Sequence, residues 1–367
     1  MGNQKVVLFS DSSMNIGGQE LQALQQMHSL HEHGYSPILL CKPKSAISAR
    51  ANSEGLNVIE IPFRNAFHIP SLGKLLQLAK EKKPVAMFCH GSHDALICAF
   101  VGMIQIILGR KRIPVFRVKT FQHGYPLSFA YNYLFSGTVI PSDYLRSKFA
   151  ANPAIHVQKL KVLYPGINFS ELDNPDAVLP VHVQTWLDTH PGPVISHGAI
   201  LRGEKGHGTI LKALVHVKDV FPNVRYLIAG EGQDKPLLEA EIVRLGLSDN
   251  VLMTGILKKI APLLRKSDLA VLPSLVEPLG MFQIEAQYLE VPIIVSNTGG
   301  IPEAVVNQVT GLMIEPGNVE EWANAIIWTL SNLSTAKKMA QEGKKFVVEK
   351  FSLEANTTGL INLVDGA

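Results

Sequence analysis

Cysteine is scarce in this 367-residue chain, which has only three, at positions 41, 89 and 98. An odd, scattered set of this size excludes a disulfide framework and favours a reducing compartment. A strong excess of one charge is also lacking, because 34 lysines and arginines face 31 acidic residues and leave a net charge of +3. A dedicated nucleic-acid-binding protein normally carries a larger basic excess, so we expect no nucleic-acid partner.

Long hydrophobic runs are missing too. The longest, 95–109, has about fifteen residues and is interrupted by Gln105, whereas a membrane span needs about 20. This run predicts a buried helix, and the basic residues 110–112 that follow it keep peripheral membrane contact open as an alternative. The N-terminus enters the apolar run 6–9 directly, without the pattern of a signal peptide. We therefore expect a cytoplasmic protein, with the inner face of the membrane as a place of contact.

What the chain does have is a core-forming composition, with 46% hydrophobic residues, arranged in a regular rhythm. Short β-branched runs alternate with segments of helical period. The predicted strands are 5–9, 37–41, 58–61, 85–89, 114–118, 138–140, 194–197, 225–229, 251–254, 269–272 and 293–296. The predicted helices are 20–33, 72–82, 95–108, 209–220, 236–245, 282–290, 320–330 and 353–364. This alternation predicts parallel sheets covered by helices on both faces.

The rhythm occurs as two series, which predicts two doubly wound α/β domains. The first covers residues 1–168 and the second 193–351, separated by a polar, proline-bearing linker at 169–192. Ligands of such sheets bind at the carboxyl ends of the strands. We therefore expect the site in a cleft between the domains, and motifs that directly follow strands are the candidates for it.

The first such motif is the glycine pair Gly17-Gly18, which follows the first strand and precedes a helix. Glycines at a helix N-terminus expose backbone N–H groups and let an anion come close. The G-x-G-x-x-G spacing is absent, and no P-loop lysine follows. A phosphate contact and an ordinary tight turn are therefore equally good interpretations.

Charged residues follow two strands of the second series. Arg202 and Lys205 lie in a glycine-rich loop after 194–197, where they suit phosphate oxygens, although a solvated loop is the alternative. Glu277 and Glu285 flank Gly280 after 269–272. A carboxylate accepts hydrogen bonds from the hydroxyls of a sugar diol. Their eight-residue spacing is weak by itself, and it is the position after a strand that makes the pair a candidate.

Metal ligands are not apparent. His90 and His93 follow strand 85–89, but no third ligand stands at a familiar spacing, and the chain has no Asp-x-Asp motif to hold a divalent cation on a diphosphate. We therefore expect neither a metal nor another cofactor.

Together, these motifs resemble family four of the retaining glycosyltransferases, which have the GT-B fold of two facing Rossmann-like domains. The resemblance covers nearly the whole chain and is strongest from 198 to 316. There the stretch 295–303, Val-Ser-Asn-Thr-Gly-Gly-Ile-Pro-Glu, and the later Thr310-Gly311-Leu312 look very like the family pattern. The resemblance also implies that the C-terminal helix, within 352–367, returns to pack on the first domain.

The resemblance implies a role for each candidate residue. Glu285 would hold the ribose of a nucleotide-sugar donor, Glu277 would contact the transferred sugar, and Lys205 would bind the diphosphate. His123 would lie near the reacting sugar and support its oxocarbenium-like state. Backbone donors near the phosphates would come from two loops, through Gly17, Gly18, Gly280, Met281 and Phe282.

One departure concerns an arginine that the family usually has five or six residues before the lysine. Ala199 and Ile200 occupy those positions here, and Arg202 is the nearest substitute. A weakened donor interaction would follow if Arg202 aims elsewhere.

The function that the resemblance implies is metal-independent, retaining sugar transfer to a glycan or lipid-linked acceptor, in bacterial envelope polysaccharide or lipopolysaccharide synthesis. The acceptor would bind the first domain, where His93, Asp94 and the basic segment 110–119 are plausible contacts. Two alternatives remain open. One is another GT-B enzyme, a nucleotide-sugar epimerase or a phosphorylase, and the other is an inactive protein that only binds a nucleotide sugar.

Overall fold

The computed structural model of the chain describes residues 4–120 and 128–366. The chain divides into two compact units. Unit 1 is Met1–Ile167 together with Phe351–Ala367, and unit 2 is Asn168–Lys350.

The regular elements follow the predicted rhythm. The strands are β1 Val6–Asp11, β2 Ser36–Cys41, β3 Asn57–Glu60, β4 Ala86–Cys89, β5 Val115–Val118, β6 Gly137–Ile140, β7 Leu160–Val162, β8 Val194–Gly198, β9 Arg225–Ala229, β10 Val251–Gly255, β11 Leu269–Leu272, β12 Ile293–Ser296 and β13 Leu312–Ile314. The helices are α1 Gly18–Glu32, α2 Ala46–Ser53, α3 Ile69–Lys82, α4 Ser92–Ile107, α5 Asp143–Ala150, α6 Val181–Thr189, α7 His207–Val220, α8 Lys235–Arg244, α9 Ala261–Leu264, α10 Met281–Tyr288, α11 Val319–Ser331, α12 Leu333–Phe351 and α13 Leu353–Asp365.

Unit 1 is built on a parallel sheet that has, within the described residues, the strand order β3-β2-β1-β4-β5-β6-β7. The order reverses between β1 and β4, where Val7 pairs with Ala86. In an open α/β sheet, the crevice at such a reversal is where ligands bind. The predicted doubly wound architecture is confirmed for this unit.

Successive side chains of the unit 1 strands enter two different core layers, because side chains alternate across a strand. Leu8 packs in the layer that includes residues of α3 and α4. Val7 and Phe9 pack in the other layer, with residues of α1 and α13. Burial on both faces explains why the strands read as continuous apolar runs rather than as alternating ones.

Helix α4 carries the long apolar run and is buried along most of its length, as predicted. Its residues from Asp94 to Gly102 are mostly buried, whereas Ile106 and Ile107 in the last turn are exposed. Within the described residues, no helix combines the length and the apolar character that a membrane crossing requires.

Unit 2 repeats the architecture with the strand order β10-β9-β8-β11-β12-β13, again parallel throughout the described residues. Here the order reverses between β8 and β11. Ile195 and Tyr226 lie in the core layer that α7 and α11 cover, and Trp322 of α11 is fully buried there. The second doubly wound domain is thus confirmed as well.

The segment 169–192 is not a free linker, because it packs into unit 2. It contains α6, whose Val183 and Leu187 are buried against Leu227 of the sheet. Phe169 stacks on Tyr288 of α10, with ring centroids 4.3 Å apart. The polar and proline-rich composition of this segment reflects its surface position, not freedom from the core.

Helix α13 belongs to unit 1, where buried hydrogen bonds attach it to α1. Gln26 Nε2 donates to Asn356 Oδ1 at 2.9 Å, and Thr357 Oγ1 donates to Ser29 Oγ at 2.7 Å. Asn356 Nδ2 also donates to the carbonyl of Tyr164 at 2.5 Å. One side chain therefore joins the C-terminal helix to α1 and to the chain beyond β7.

The substitution Asn356→Ala is expected to lower the free energy of unfolding by about 1–3 kcal/mol, because it leaves the buried Gln26 amide without its acceptor and removes the hydrogen bond to the Tyr164 carbonyl. Urea unfolding of the full chain measures the effect. Asn362→Ala, at an exposed position of the same helix, is the matched control and should change stability by less than about 0.5 kcal/mol. Equal stability of the two variants would show that the Asn356 bonds do not hold α13.

Candidate functional site

Two loops meet at the strand-order reversal of unit 2. One follows β8 and leads into α7, and the other follows β11 and leads into α10. Leu275 N donates to the carbonyl of Glu204 at 2.7 Å, which joins the loops through their backbones. Gly206 has a φ of +74°, and a Cβ atom on it would lie 1.9 Å from the carbonyl oxygen of Pro273. Only glycine allows this close contact.

The joined loops bring the predicted lysine and the first predicted glutamate together. Lys205 Nζ lies 2.7 Å from Glu277 Oε2, and the two side chains are only 13% and 14% exposed. Ser274 Oγ adds a hydrogen bond to the same carboxylate oxygen at 3.3 Å. The pair is fixed in position, yet remains reachable from solvent.

A third loop, after β12, supports Glu277 from behind. Gly300 N donates to the carbonyl of Glu277 at 2.9 Å, and Thr298 Oγ1 donates to the carbonyl of Leu275 at 3.2 Å. Gly299 has a φ of +60°, and a Cβ there would lie 2.1 Å from the Glu277 carbonyl oxygen. The glycine pair in the stretch 295–303 therefore positions the loop that carries the glutamate.

Helix α10 begins directly after Gly280, whose φ is +88°. The first N–H groups of a helix have no intrahelical acceptor and attract negative charge. Met281 is exposed there, whereas the Phe282 ring is buried so close to Gly198 that a Cβ on that glycine would lie 2.6 Å from it. Of the predicted donor-binding trio, Phe282 thus contributes a core side chain, and only its backbone could bind a ligand.

Glu285 lies one helical turn beyond Met281, on the same side of α10. Its side chain is partly buried, and burial raises its pKa to about 7. Among the described residues, none gives this carboxylate a hydrogen bond or an ion pair. A carboxyl group with unused acceptors at this sheet edge can receive hydroxyls of a ligand.

Arg202 has a carboxylate partner of its own. Its Nε lies 3.0 Å from Glu204 Oε1, and the side chain is about half exposed at 47%. Arg202 therefore contacts Glu204, while Lys205 contacts Glu277.

Two buried histidines that sequence reasoning did not single out lie next to Lys205. The rings of His197 and His207 stack with centroids 4.2 Å apart, and His197 Nδ1 lies 2.8 Å from the hydroxyl of Tyr226. Burial lowers the pKa of both, that of His207 to about 4, and the charge of Lys205 lowers them further. Neutral rings beside the ammonium add no competing charge. The only signal was their position, at the end of β8 and directly after Gly206.

In unit 1, the Gly17-Gly18 pair begins α1. Gly17 N donates to Glu20 Oε2 at 2.8 Å, so this N–H already has an acceptor. Gly18 has open space around it, with no atom within 4 Å of a Cβ built on it. The predicted catalytic His123 lies outside the described residues.

A buried polar cluster occupies the strand-order reversal of unit 1. Ser10 Oγ donates to Asp94 Oδ2 at 2.6 Å, and Arg117 Nη2 donates to Ser92 Oγ at 3.2 Å. Asp11 accepts from Ser13 N at 2.6 Å, and burial raises its pKa to about 7. Sequence reasoning named Asp94. It placed Asp11 in the loop after the first predicted strand and Arg117 inside the predicted strand 114–118, and it gave neither residue a role of its own.

Each of the three charged residues of this cluster keeps one buried polar atom without a hydrogen bond among the described residues. These atoms are Asp11 Oδ2, Asp94 Oδ1 and Arg117 Nη1. His90, beside them, lies with Nδ1 3.3 Å from the carbonyl of Ser10, and burial lowers its pKa to about 4. Within 4–120 and 128–366, no group of three or more His, Cys, Asp or Glu is close enough to hold a metal ion.

The sequence of the second unit matches a known family. Residues 190–346 match the model of the family described as glycosyl transferases group 1. A D-inositol 3-phosphate glycosyltransferase of Segniliparus rotundus is 30% identical over 232 residues, which are 62% of this chain and 50% of that protein. The chain spans about half the length of the curated relatives that it matches.

Solved structures resemble nearly the whole chain. A glycosyltransferase from Rickettsia africae ESF-5 superimposes with a TM-score of 0.85 at 20% identity, covering 99% of this chain and 98% of that one. Anabaena Alr3699/HepE, solved in complex with UDP, superimposes with a TM-score of 0.81 at 18% identity, covering 99% and 100%. At these identities, the likeness establishes the fold.

The substitution Gly206→Ala is expected to lower the free energy of unfolding by about 2 kcal/mol or more, because alanine is strained at this φ and its Cβ would meet the Pro273 carbonyl. Gly208→Ala, two residues on in α7 and with open space around it, is the matched control. It should stabilise the protein by up to about 1 kcal/mol. Urea unfolding of both variants checks the contrast, and a harmless Gly206→Ala would contradict the close loop contact.

Proposed function

We propose that this chain, whose residues 190–346 match the model of the glycosyl transferases group 1, is a retaining glycosyltransferase on a GT-B fold. It moves a sugar from a nucleoside diphosphate sugar to a glycan or lipid-linked acceptor. The observation that carries the proposal is the Lys205–Glu277 pair, which three backbone-joined loops hold at the strand-order reversal of unit 2.

An exchange of partners explains how this pair would bind the donor. A diphosphate is a stronger acceptor for the Lys205 ammonium than a single carboxylate, because it presents several charged oxygens. Once Lys205 turns to the phosphate, Glu277 is released from its 2.7 Å contact and can accept hydroxyls of the transferred sugar. The neighbouring loops already fix both residues, so little order has to be created when the donor binds.

Glu285 and the start of α10 extend the donor site. The Glu285 carboxylate has unused acceptors, which suit the two hydroxyls of a ribose. The N–H groups of Met281 and Phe282, at the positive end of α10, suit a phosphate oxygen. In this proposal Arg202 contributes less to donor binding than Lys205, because Glu204 already binds its guanidinium.

The proposed chemistry is a front-face transfer. The bond between the anomeric carbon and the phosphate oxygen breaks, and the acceptor oxygen bonds to that carbon on the same face. The leaving phosphate oxygen takes the proton of the acceptor hydroxyl. Lys205 and backbone N–H groups stabilise the negative charge that develops on the leaving diphosphate. In other enzymes a metal ion held by an Asp-x-Asp motif can do this, and the sequence has no such motif. His123 is proposed to support the oxocarbenium-like sugar.

The solved neighbours support a nucleotide-sugar donor. The Anabaena protein was crystallised with UDP and with UDP-glucose. We propose UDP as the first nucleotide to test, with GDP and ADP as the comparison.

The proposed setting is bacterial envelope polysaccharide or lipopolysaccharide synthesis at the inner face of the membrane. A lipid-linked acceptor lies at a membrane surface, so the proposal includes peripheral membrane contact by this chain. The support is the exposed apolar end of α4, directly followed by the basic residues 110–112.

The substitution Lys205→Ala is expected to lower the rate of sugar transfer at least about a hundredfold, because it removes the cation that stabilises the leaving diphosphate. Lys212→Ala, at an exposed position of α7 in the same unit, should leave the rate within about twofold. Release of the nucleoside diphosphate from a UDP-sugar panel, with an acceptor mixture, measures the rate.

The same assay is run with EDTA and with added Mg²⁺, and the two rates should agree. Full activity of Lys205→Ala would remove the lysine from the donor site, and loss of activity in EDTA that Mg²⁺ restores would refute metal independence. Binding of nucleotide by a stable wild-type protein that releases no product would favour a binding-only role.

Donor affinity should rise with pH through about 7, because burial raises the pKa of Glu285 to about 7 and only the ionised carboxylate accepts both ribose hydroxyls. Glu285→Gln should bind UDP more weakly and lose this rise. Titration calorimetry with UDP, from about pH 6 to about pH 8, compares the two proteins. The ionisation of UDP itself is common to both, so a rise of equal size in the variant would contradict the role of Glu285.

A further inference from the structure

The amino edge of the unit 1 sheet, where its strands begin, is a concave and basic surface. Two adjoining cavities of about 870 and 650 Å³ lie there and share Lys111, Arg112 and Pro114. The cations that line the first cavity are Lys5, Lys80, Lys83, Arg110, Lys111 and Arg112. Lys159 and Lys161 add to the second. We call the two cavities together the basic groove.

Within residues 4–120 and 128–366, most of this positive charge has no acidic partner. Asp365 lines the first cavity and pairs with Lys5 at 2.8 Å. Of the other seven cations that line the groove, none has an ion pair with a described residue. Arg112 Nη2 donates to the carbonyl of Leu134 at 2.7 Å, a neutral acceptor.

The cations also repel one another. The pKa of Lys159 is lowered first by burial and then by the positive charges of Arg112 and Lys161. An anion that entered the groove would relieve this repulsion, since opposite charge favours the protonated form of a lysine. The groove therefore suits a negatively charged partner.

An exposed apolar rim adjoins the groove. Helix α4 ends with Ile106 and Ile107, of which Ile107 is 83% exposed. The exposed Leu108 follows, and Arg110 is two residues further on. Phe129 and Tyr133 are exposed as well, with ring centroids 5.4 Å apart, and the Tyr133 carbonyl accepts from Arg112. Apolar and aromatic side chains beside lysines and arginines are typical of surfaces that sit in the interface of a bilayer.

We propose that the basic groove and the apolar rim dock this chain onto a membrane that contains anionic phospholipids. The groove takes headgroup phosphates, and Ile107 with its neighbours enters the boundary between headgroups and acyl chains. A soluble polyanion would satisfy the cations but would leave the apolar rim exposed, so the rim favours the membrane. This inference builds on the proposed membrane contact, while its test needs no sugar transfer.

The docking surface lies at the opposite edge of the sheet from the loops that follow β1 and β4. All strands of the sheet are parallel, so their beginnings share one edge and their ends share the other. Helices α3 and α4 run back between parallel strands and therefore end at the amino edge, where their last turns line the groove. The last turn of the C-terminal helix α13 lines it as well. Binding at the amino edge therefore leaves Gly18 and the polar cluster uncovered.

The test is co-sedimentation of the full chain with phosphatidylcholine vesicles, with and without phosphatidylglycerol. We expect binding only with phosphatidylglycerol, and binding about tenfold weaker at high salt, because surface charges are screened there. Lys111→Glu combined with Lys161→Glu should weaken it about tenfold or more. Ile107→Asp should weaken it as well, without touching the groove.

The control is Lys337→Glu combined with Lys338→Glu, which makes the same change in net charge at exposed positions of α12 in unit 2. An equal loss of binding in this control would mean that net charge alone is responsible and would overturn the proposal. The proposal would also be overturned if Ile107→Asp bound vesicles as well as the wild type and soluble polyphosphate displaced the vesicles. The partner of the groove would then be a soluble polyanion. The thermal shift that UDP causes is measured for each variant. A normal shift shows that the variant is folded and that its donor site is intact, so a loss of vesicle binding is then due to the docking surface.

Discussion

Close backbone contact at the carboxyl edge of unit 2 is the constraint on which the candidate site depends. Glycines at 206, 299 and 300 let the loops after β8, β11 and β12 approach within hydrogen-bond distance of each other's main chain. Side chains at these positions would hold the loops apart. The ion pair of Lys205 and Glu277 is a result of that contact, because each residue sits on one of the joined loops.

Much of the fold could be predicted because buried parallel strands read as continuous apolar runs. The strands that escaped prediction, β7 and β13, have only three residues each, and Leu160–Val162 is interrupted by an exposed lysine. The segment 169–192 was predicted as a linker because its composition is that of a surface. Composition does not reveal that Val183 and Leu187 of this segment face a core.

The sequence predicted most of the residues of the candidate site, but it did not predict which of them contact each other. Position after a strand pointed to Lys205, Glu277 and Glu285, whereas nothing in the sequence shows that Arg202 contacts Glu204. The stacked histidines were not predicted, because the sequence does not distinguish a buried neutral histidine from an exposed one. Burial and partner choice are three-dimensional properties, and they decide the charge state of His207 and the freedom of the Glu285 carboxylate.

The parallel sheet of unit 1 also sets the distance between the basic groove and the loop that follows β1. Its strands run from the basic groove to the edge that carries the β1 loop, and the six residues of β1 span about 20 Å. A chain anchored by the groove, with its strands upright on the membrane, would hold that loop about 20 Å above the lipid headgroups. A sugar attached directly to its lipid would stay below it, whereas the growing end of a longer glycan would arrive at that height. The sheet would then act as a spacer that favours acceptors already several sugars long.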